Sequence, residues 1–174
     1  RVKVVVRTRP TSNFAKDELH LNDDNSSLNI FIKRDSKNVV NNQRQNYNFG
    51  FDRILHNASQ ETVFDECAVD LVHNFIQGYN GTILAYGQTG AGKTYSITGG
   101  VSNFKTRGLI PRCIAHVFSE IQNKSDNAYT VRISYLEIYN EKITDLLTTL
   151  GDREESMLAD LNILEGRDGT INVR

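Results

Sequence analysis

One octapeptide, Gly87-Gln88-Thr89-Gly90-Ala91-Gly92-Lys93-Thr94, constrains this chain more than any other feature. It follows the apolar run Thr82 to Tyr86 and precedes Tyr95-Ser96-Ile97, so it is predicted to join a buried strand to the start of a helix. Glycine, four residues, then Gly-Lys-Thr is the spacing of a phosphate-binding P-loop, and each position has a physical task. Gly87 and Gly92 permit backbone angles and close approaches that a Cβ would obstruct, so amide N–H groups can turn inward around phosphate oxygens. The helix that follows offers its unpaired N-terminal amides and its dipole to an anion. Lys93 places an ammonium beside the β- and γ-phosphates, and the Thr94 hydroxyl suits Mg²⁺, a hard cation that prefers oxygen and arrives with the nucleotide. A glycine-rich turn with a chance Lys and Thr is the rival explanation. The bare pattern arises by accident in roughly one chain per hundred of this length, and the flanking strand and helix lower that further.

The chain has 174 residues, 39% of them hydrophobic, enough for one core of ordinary size. Its net charge is −1 with both signs spread along the sequence, which excludes a global basic field for nucleic acid or an acidic membrane. No apolar run approaches membrane-spanning length, and Arg1-Val2-Lys3-Val4 reads as a strand rather than a signal peptide. Cys67 and Cys113 match no metal spacing and read as small core residues, which fits a reducing cytosol. With strand-like patterns at both ends and the only Met at position 157, the expectation is a piece of a longer protein.

Along the chain, Val2 and Val4 to Val6 predict a buried strand that stops before Pro10. Residues 11 to 50 are polar and Asn-rich. Their short alternations, Leu28, Ile30, Ile32 and then Tyr47, Phe49, Phe51, predict small strands in a peripheral lobe. From a Ser59 N-cap, the residues Val63, Phe64, Cys67, Ala68, Leu71, Val72, Phe75 and Ile76 recur at helical spacing, ending at Gly78. The helix opened by Lys93 is expected to stop near Thr98, where Gly99-Gly100 begins a polar stretch that reads as a gate or a tolerated insertion. A further helix carries Pro111 in its first turn and Ile114, Val117, Phe118 and Ile121 on one face. Residues 129 to 139 predict a long strand, and Ile143, Leu146 and Leu147 a helical turn. Glu137 and Glu141 resemble an acid/base pair, although pairing with nearby cations is the plainer role. After the acidic stretch Asp152 to Asp160, a hairpin is expected from Leu161 to Leu164 and Thr170 to Arg174 around Gly166 to Gly169. This order of elements argues an α/β fold.

These residues resemble the kinesin motor domain over nearly the whole chain. Gly78-Tyr79-Asn80-Gly81-Thr82-Ile83-Leu84-Ala85-Tyr86-Gly87-Gln88-Thr89-Gly90 is similar to that family's approach to the P-loop. Tyr135-Leu136-Glu137-Ile138-Tyr139-Asn140-Glu141 with Asp145-Leu146-Leu147 is similar to a second family signature, and Arg7-Thr8-Arg9-Pro10 to the segment beside adenine. The resemblance implies the N-terminal part of one motor domain across residues 1 to 174. It also implies a P-loop NTPase architecture of three layers: a central, mostly parallel mixed sheet, incomplete in this chain, with a small β lobe at about residues 11 to 50. It further implies ATP or ADP with Mg²⁺ as cofactors and microtubules as partner, in the cytoplasm and cytoskeleton, with no nucleic acid and no membrane insertion. Arg7, Arg9 and Pro10 would flank the base, with Tyr95 on its other side where relatives often carry His. Residues 87 to 94 would hold phosphates and Mg²⁺, with Lys93 and Thr94 as the catalytic contributors and residues 99 to 108 as the nucleotide-gating loop. Lys142, Arg167 and Arg174 match or neighbour the cations that meet tubulin, while Gly169 falls where relatives often carry Arg. Within the family, Asn38-Val39-Val40-Asn41-Asn42-Gln43 and Ile133-Ser134-Tyr135-Leu136-Glu137 are similar to the ninth class, associated with motile cilia and flagella.

Two family elements do not occur in these 174 residues: the Asn-x-x-Ser-Ser-Arg switch and the Asp-Leu-Ala-Gly-Ser-Glu switch. Phosphoryl transfer needs a positioned water as well as held phosphates, so the expectation is nucleotide binding without catalysis by the chain alone. Later family strands would lie beside the P-loop strand and the first strand; without them those edges should be exposed. A truncated, non-catalytic nucleotide- or tubulin-binding module is the alternative. A small P-loop kinase has no support outside the loop. Oligomerisation by coiled coil would reside outside this chain.

Overall fold

The computed structural model describes residues 1–33, 44–124, 127–147, 161 and 163–173. They form two compact units, Arg1–Asp126 and Asn127–Arg174.

In the first unit, β1 (Val5–Arg7) runs parallel to β5 (Arg53–Leu55), with Val6 opposite Ile54. The pair is tied at its entrance by Asp52, whose carboxylate accepts the Val4 amide at 2.8 Å and the Arg1 guanidinium at 2.6 Å. The sequence pattern did not mark β5, a three-residue strand too short to show an alternation. Between the two strands in sequence stands an antiparallel sheet in the order β2 (Leu19–Leu21), β3 (Ser27–Phe31), β4 (Asn46–Gly50). Its register sets Leu28 opposite Phe49 and Ile30 opposite Tyr47, so the alternating apolar residues pair across the strands.

Ser59 caps α1 (Gln60–Cys67), its hydroxyl oxygen accepting the Thr62 amide at 3.1 Å. The predicted helix is interrupted once, at Ala68, and resumes as α2 (Val69–Ile76). The ladder continues across the break through Ala68 N–H to Phe64 O and Val72 N–H to Ala68 O. α3 (Lys93–Ile97) is as short as expected, and α4 (Leu109–Gln122) packs against α1 and α2. The core gathers Leu55, Val63, Phe64, Ala68 and Leu109, with Val5, Ile97, Cys67 and Cys113 packed around it. Burial pushes both thiols above their ordinary pKa, as expected of core cysteines.

The predicted buried strand before the P-loop does not form. Thr82 to Tyr86 makes no ladder bond, and Leu84 and Tyr86 are 86% and 96% exposed. A strand's backbone groups need a neighbour to bond, and no described segment pairs with this one.

The second unit corrects two expectations. Of the long strand at 129 to 139, only β6 (Leu136–Tyr139) pairs, and residues 129 to 135 make no ladder. Of the residues expected in a helical turn, Ile143 belongs instead to β7 (Lys142–Asp145), antiparallel to β6 with Ile138 opposite Ile143, and Leu146 and Leu147 lie in a turn after that strand. Asn140 and Glu141 turn the hairpin with φ of 49° and 63°, the left-handed pair of a two-residue loop. Neither Glu137 nor Glu141 forms an ion pair among the described residues. The hairpin expected around Gly166 to Gly169 is present as β8 (Ile163–Glu165) and β9 (Ile171–Val173). Its turn is held by Gly166 N–H to Thr170 O at 2.7 Å and by the Asp168 carboxylate, which accepts from the Thr170 hydroxyl at 2.6 Å. The ninth-class segment at residues 38 to 43 and the acidic stretch from Asp152 lie outside the described residues.

Candidate functional site: the P-loop and its supporting corner

The loop keeps the bend its glycines imply. Gly87, Gly90 and Gly92 have φ of 153°, 81° and 98°, and Gly92 directly precedes α3 in the left-handed region. At Gly87 the turn is also tight: a Cβ there would meet the Ala91 Cβ at 3.2 Å. The Gln88 carbonyl closes the bend by accepting the Ala91 amide at 3.1 Å.

Lys93 reaches back over this bend. Its ammonium donates to Gly87 O at 2.8 Å and Gln88 O at 2.9 Å, which leaves one of its three donors uncommitted. The amides of Gly90 and Gly92 donate to no acceptor among the described residues, and the first-turn amides of α3 have no intrahelical partner. The Thr94 side chain is exposed and its hydroxyl makes no hydrogen bond among the described residues. Unpaired amides, an ammonium and a free hydroxyl on one short bend suit a polyphosphate with its divalent cation.

The Arg7 to Pro10 corner meets the loop across a sequence separation of 81 residues. Arg9 donates from Nη1 to Gly90 O at 2.8 Å. Arg7 and Tyr95 also come together, the guanidinium lying 5.5 Å from the ring centroid. Arg7 spends its donors inward, however, on Gln60 Oε1 at 2.8 Å, Ser96 Oγ at 2.9 Å and Ala58 O at 3.1 Å. Burial lowers its pKa, opposed by the fields of Tyr95 and Cys67. Pro10 is exposed beside Arg9.

Sequence reasoning missed Gln60. Only 3% exposed, it receives Arg7 on its carbonyl oxygen and donates from Nε2 to Tyr95 O at 2.6 Å and Thr106 O at 3.0 Å. One amide thus joins β1, α3 and the segment at residues 99 to 108. A Gln one position after an N-cap gives no sign of burial in sequence, because only packing reveals it. The segment it braces is closed upon itself. Gly100 N–H bonds Thr106 O at 2.9 Å, a 3₁₀ turn spans Phe104–Thr106, and Arg107 and Arg112 both lie over the Phe104 ring.

The cations expected to meet tubulin are placed individually. Lys142 opens β7, Arg167 lies in the exposed turn between β8 and β9, and Arg174 is outside the described residues. Gly169 occupies that same turn with φ of 79°.

The chain superposes on a solved fast kinesin, described for its ATPase mechanism and interactions with microtubules, with a TM-score of 0.78 and 32% identity. The match covers 99% of this chain and 46% of that one, and it defines a P-loop NTPase fold, partial here. The kinesin motor domain family model matches residues 7–174, and the chain belongs to that family. It is 50% identical over 151 residues to the kinesin-like protein KIF9 of Mus musculus, covering 86% of this chain and 19% of that protein. It is 45% identical over 174 residues to the kinesin-like protein KLP1 of Chlamydomonas reinhardtii, covering 99% of this chain and 22% of that protein. The chain therefore spans about a fifth of the length of these curated relatives.

Proposed function

We propose that this chain is the nucleotide-holding part of an ATP-driven microtubule motor. The observation that carries the reading is the 2.8 Å bond from Arg9 to Gly90, which sets the base-side corner against a bent, amide-lined loop carrying Lys93 and Thr94. In this reading Lys93 exchanges part of its hold on Gly87 and Gln88 for the β- and γ-phosphates of ATP, and Thr94 supplies one oxygen to Mg²⁺. Residues 87 to 92 cradle the phosphates with their amides. Arg9, Pro10 and Tyr95 border the base, and Arg7 acts through Gln60 and Ser96 as a support for that border. Bound Mg²⁺ would neutralise phosphate charge; the residues here bind and orient.

The same reading places residues 1 to 174 within one motor domain, with Lys142, Arg167 and Arg174 facing the acidic microtubule surface. It assigns the parent protein to the cytoskeleton, and its likeness to KIF9 and to the Chlamydomonas protein supports a cilium or flagellum. Hydrolysis requires the two switch motifs that these residues do not contain, so the chain alone binds ATP and does not turn it over. Titration with a fluorescent ATP analogue and Mg²⁺ is expected to saturate, and Lys93→Ala to weaken it about 10–100-fold, the loss of one charge-assisted contact. Phosphate release by the chain is expected to be no faster than by Lys93→Ala. Equal affinity in the two proteins would overturn the site, and a microtubule-stimulated rate abolished by Lys93→Ala would overturn the incompleteness.

A further inference from the structure

A cluster unrelated to the phosphate loop lies where α2 packs on α4. His73, in the last turn of α2, faces His116 and Glu120, which are four residues apart and so share one face of α4. One ligand atom from each, a ring nitrogen from either histidine and a carboxylate oxygen, lies within 4.8 Å of the other two. Independently, His116 carries an orphan: its Nε2 is buried and has no hydrogen-bond partner among the described residues. The ring is held there by Phe64, edge to face at 5.7 Å and 73°, and Phe64 belongs to the core. A buried ring nitrogen left without a partner is costly, and a bound ion would relieve that cost.

From this juxtaposition we propose that His73, His116 and Glu120 form a zinc-binding clip between α2 and α4. Two imidazoles and one carboxylate suit a borderline-soft divalent ion such as Zn²⁺, and the nitrogen donors disfavour Mg²⁺ and Ca²⁺. Tetrahedral bonds of about 2.0–2.2 Å set donors about 3.3–3.6 Å apart. Donors within 4.8 Å of one another therefore need to draw in by about 1 Å, which side-chain rotamer changes, freest at exposed His73, supply, with water as the fourth ligand. His116 is fixed by the core and Glu120 is half-buried, so two of three ligands stand on a rigid helix. The clip fastens the helix that leads into the P-loop turn to the helix that follows residues 99 to 108, and its ligands are all separate from the nucleotide-binding residues.

The test is calorimetric titration of the whole chain with ZnCl₂, repeated on His73→Ala and Glu120→Gln. One Zn²⁺ per chain is expected, with affinity lowered at least about tenfold in each variant. Zn²⁺ should raise the melting temperature of the parent chain and not that of His73→Ala, whose metal-free melt should match the parent because His73 is exposed. Co²⁺ should give the visible absorption of nitrogen and oxygen ligation. Absence of binding, unchanged affinity in His73→Ala, or a thiolate charge-transfer band assigning the metal to Cys67 or Cys113 would each overturn the proposal.

Discussion

Residues 60 to 72 and residues 79 to 86 both lead toward the P-loop and both are rich in apolar side chains, yet the first stretch is core and the second is surface. Val63, Phe64, Ala68 and Val72 are buried, whereas Tyr79, Leu84 and Tyr86 lie 65% to 96% exposed. The difference lies in the backbone. A helix bonds its own amides and needs only one face covered, which α1 and α2 obtain from α4 and from Leu55. A strand cannot bond itself, so Thr82 to Tyr86 waits on ladder partners that no described segment supplies. Residues 129 to 139 in the second unit repeat the lesson: an apolar alternation runs along them, and only Leu136–Tyr139, with β7 as partner, is a strand.

The sharpest way to break this comparison is to shorten one side chain in each stretch. Phe64→Ala is expected to cost about 3–5 kcal/mol in urea unfolding followed by circular dichroism, while Leu84→Ser stays within about 0.5 kcal/mol. A Leu84→Ser loss rivalling that of Phe64→Ala would mean that the segment is covered in solution and that the contrast is wrong. A smaller effect is expected at Gln60, where helix, strand and loop meet. Gln60→Ala removes one of the three acceptors of Arg7, the side-chain donor to Tyr95 O and one of the two donors to Thr106 O, a cost of about 1–3 kcal/mol. Hydrogen exchange should then quicken at the Gly100 amide, which bonds Thr106 O. Unaltered exchange there would show that the loop at residues 99 to 108 holds without Gln60.

What the sequence made legible follows the same division. Local features carried through: the Ser59 cap, the short α3, the bend at residues 87 to 92 and the β8–β9 turn all depend on neighbours within a few residues. Features set by distant partners did not. β5 is visible only once β1 lies beside it, and the long strand at 129 to 139 shrinks to the part that β7 pairs. The β6–β7 hairpin was hidden for another reason, since Asn140 suits a left-handed turn but Glu141 is an unusual second residue for one. At the candidate site, spacing alone proposes Lys93 and Thr94. That Arg7 turns inward, and that Gln60 organises three segments around it, depends on burial that no spacing encodes.

The smallest effect tests a region where every partner is local. In the turn between β2 and β3, the Asp24 carboxylate accepts the Ser26 amide at 2.9 Å and the Ser27 amide at 3.0 Å, and the Ser27 hydroxyl at 2.8 Å. These bonds favour the charged form, the Ser26 amide most, and lower its pKa from 3.8 to about 2. Because the folded value lies below the unfolded one, the stabilising contribution is present above 3.8 and is lost as pH falls through about 2. Asp24→Asn keeps an acceptor for the amides and cannot titrate. The urea midpoint of the parent chain should therefore exceed that of Asp24→Asn near neutral pH and converge on it in acid, all other carboxyls being common to both. A gap that stays constant with pH would mean that the turn does not hold Asp24 charged. Even this local region would then owe its geometry to the β2–β3 ladder rather than to its own side chains.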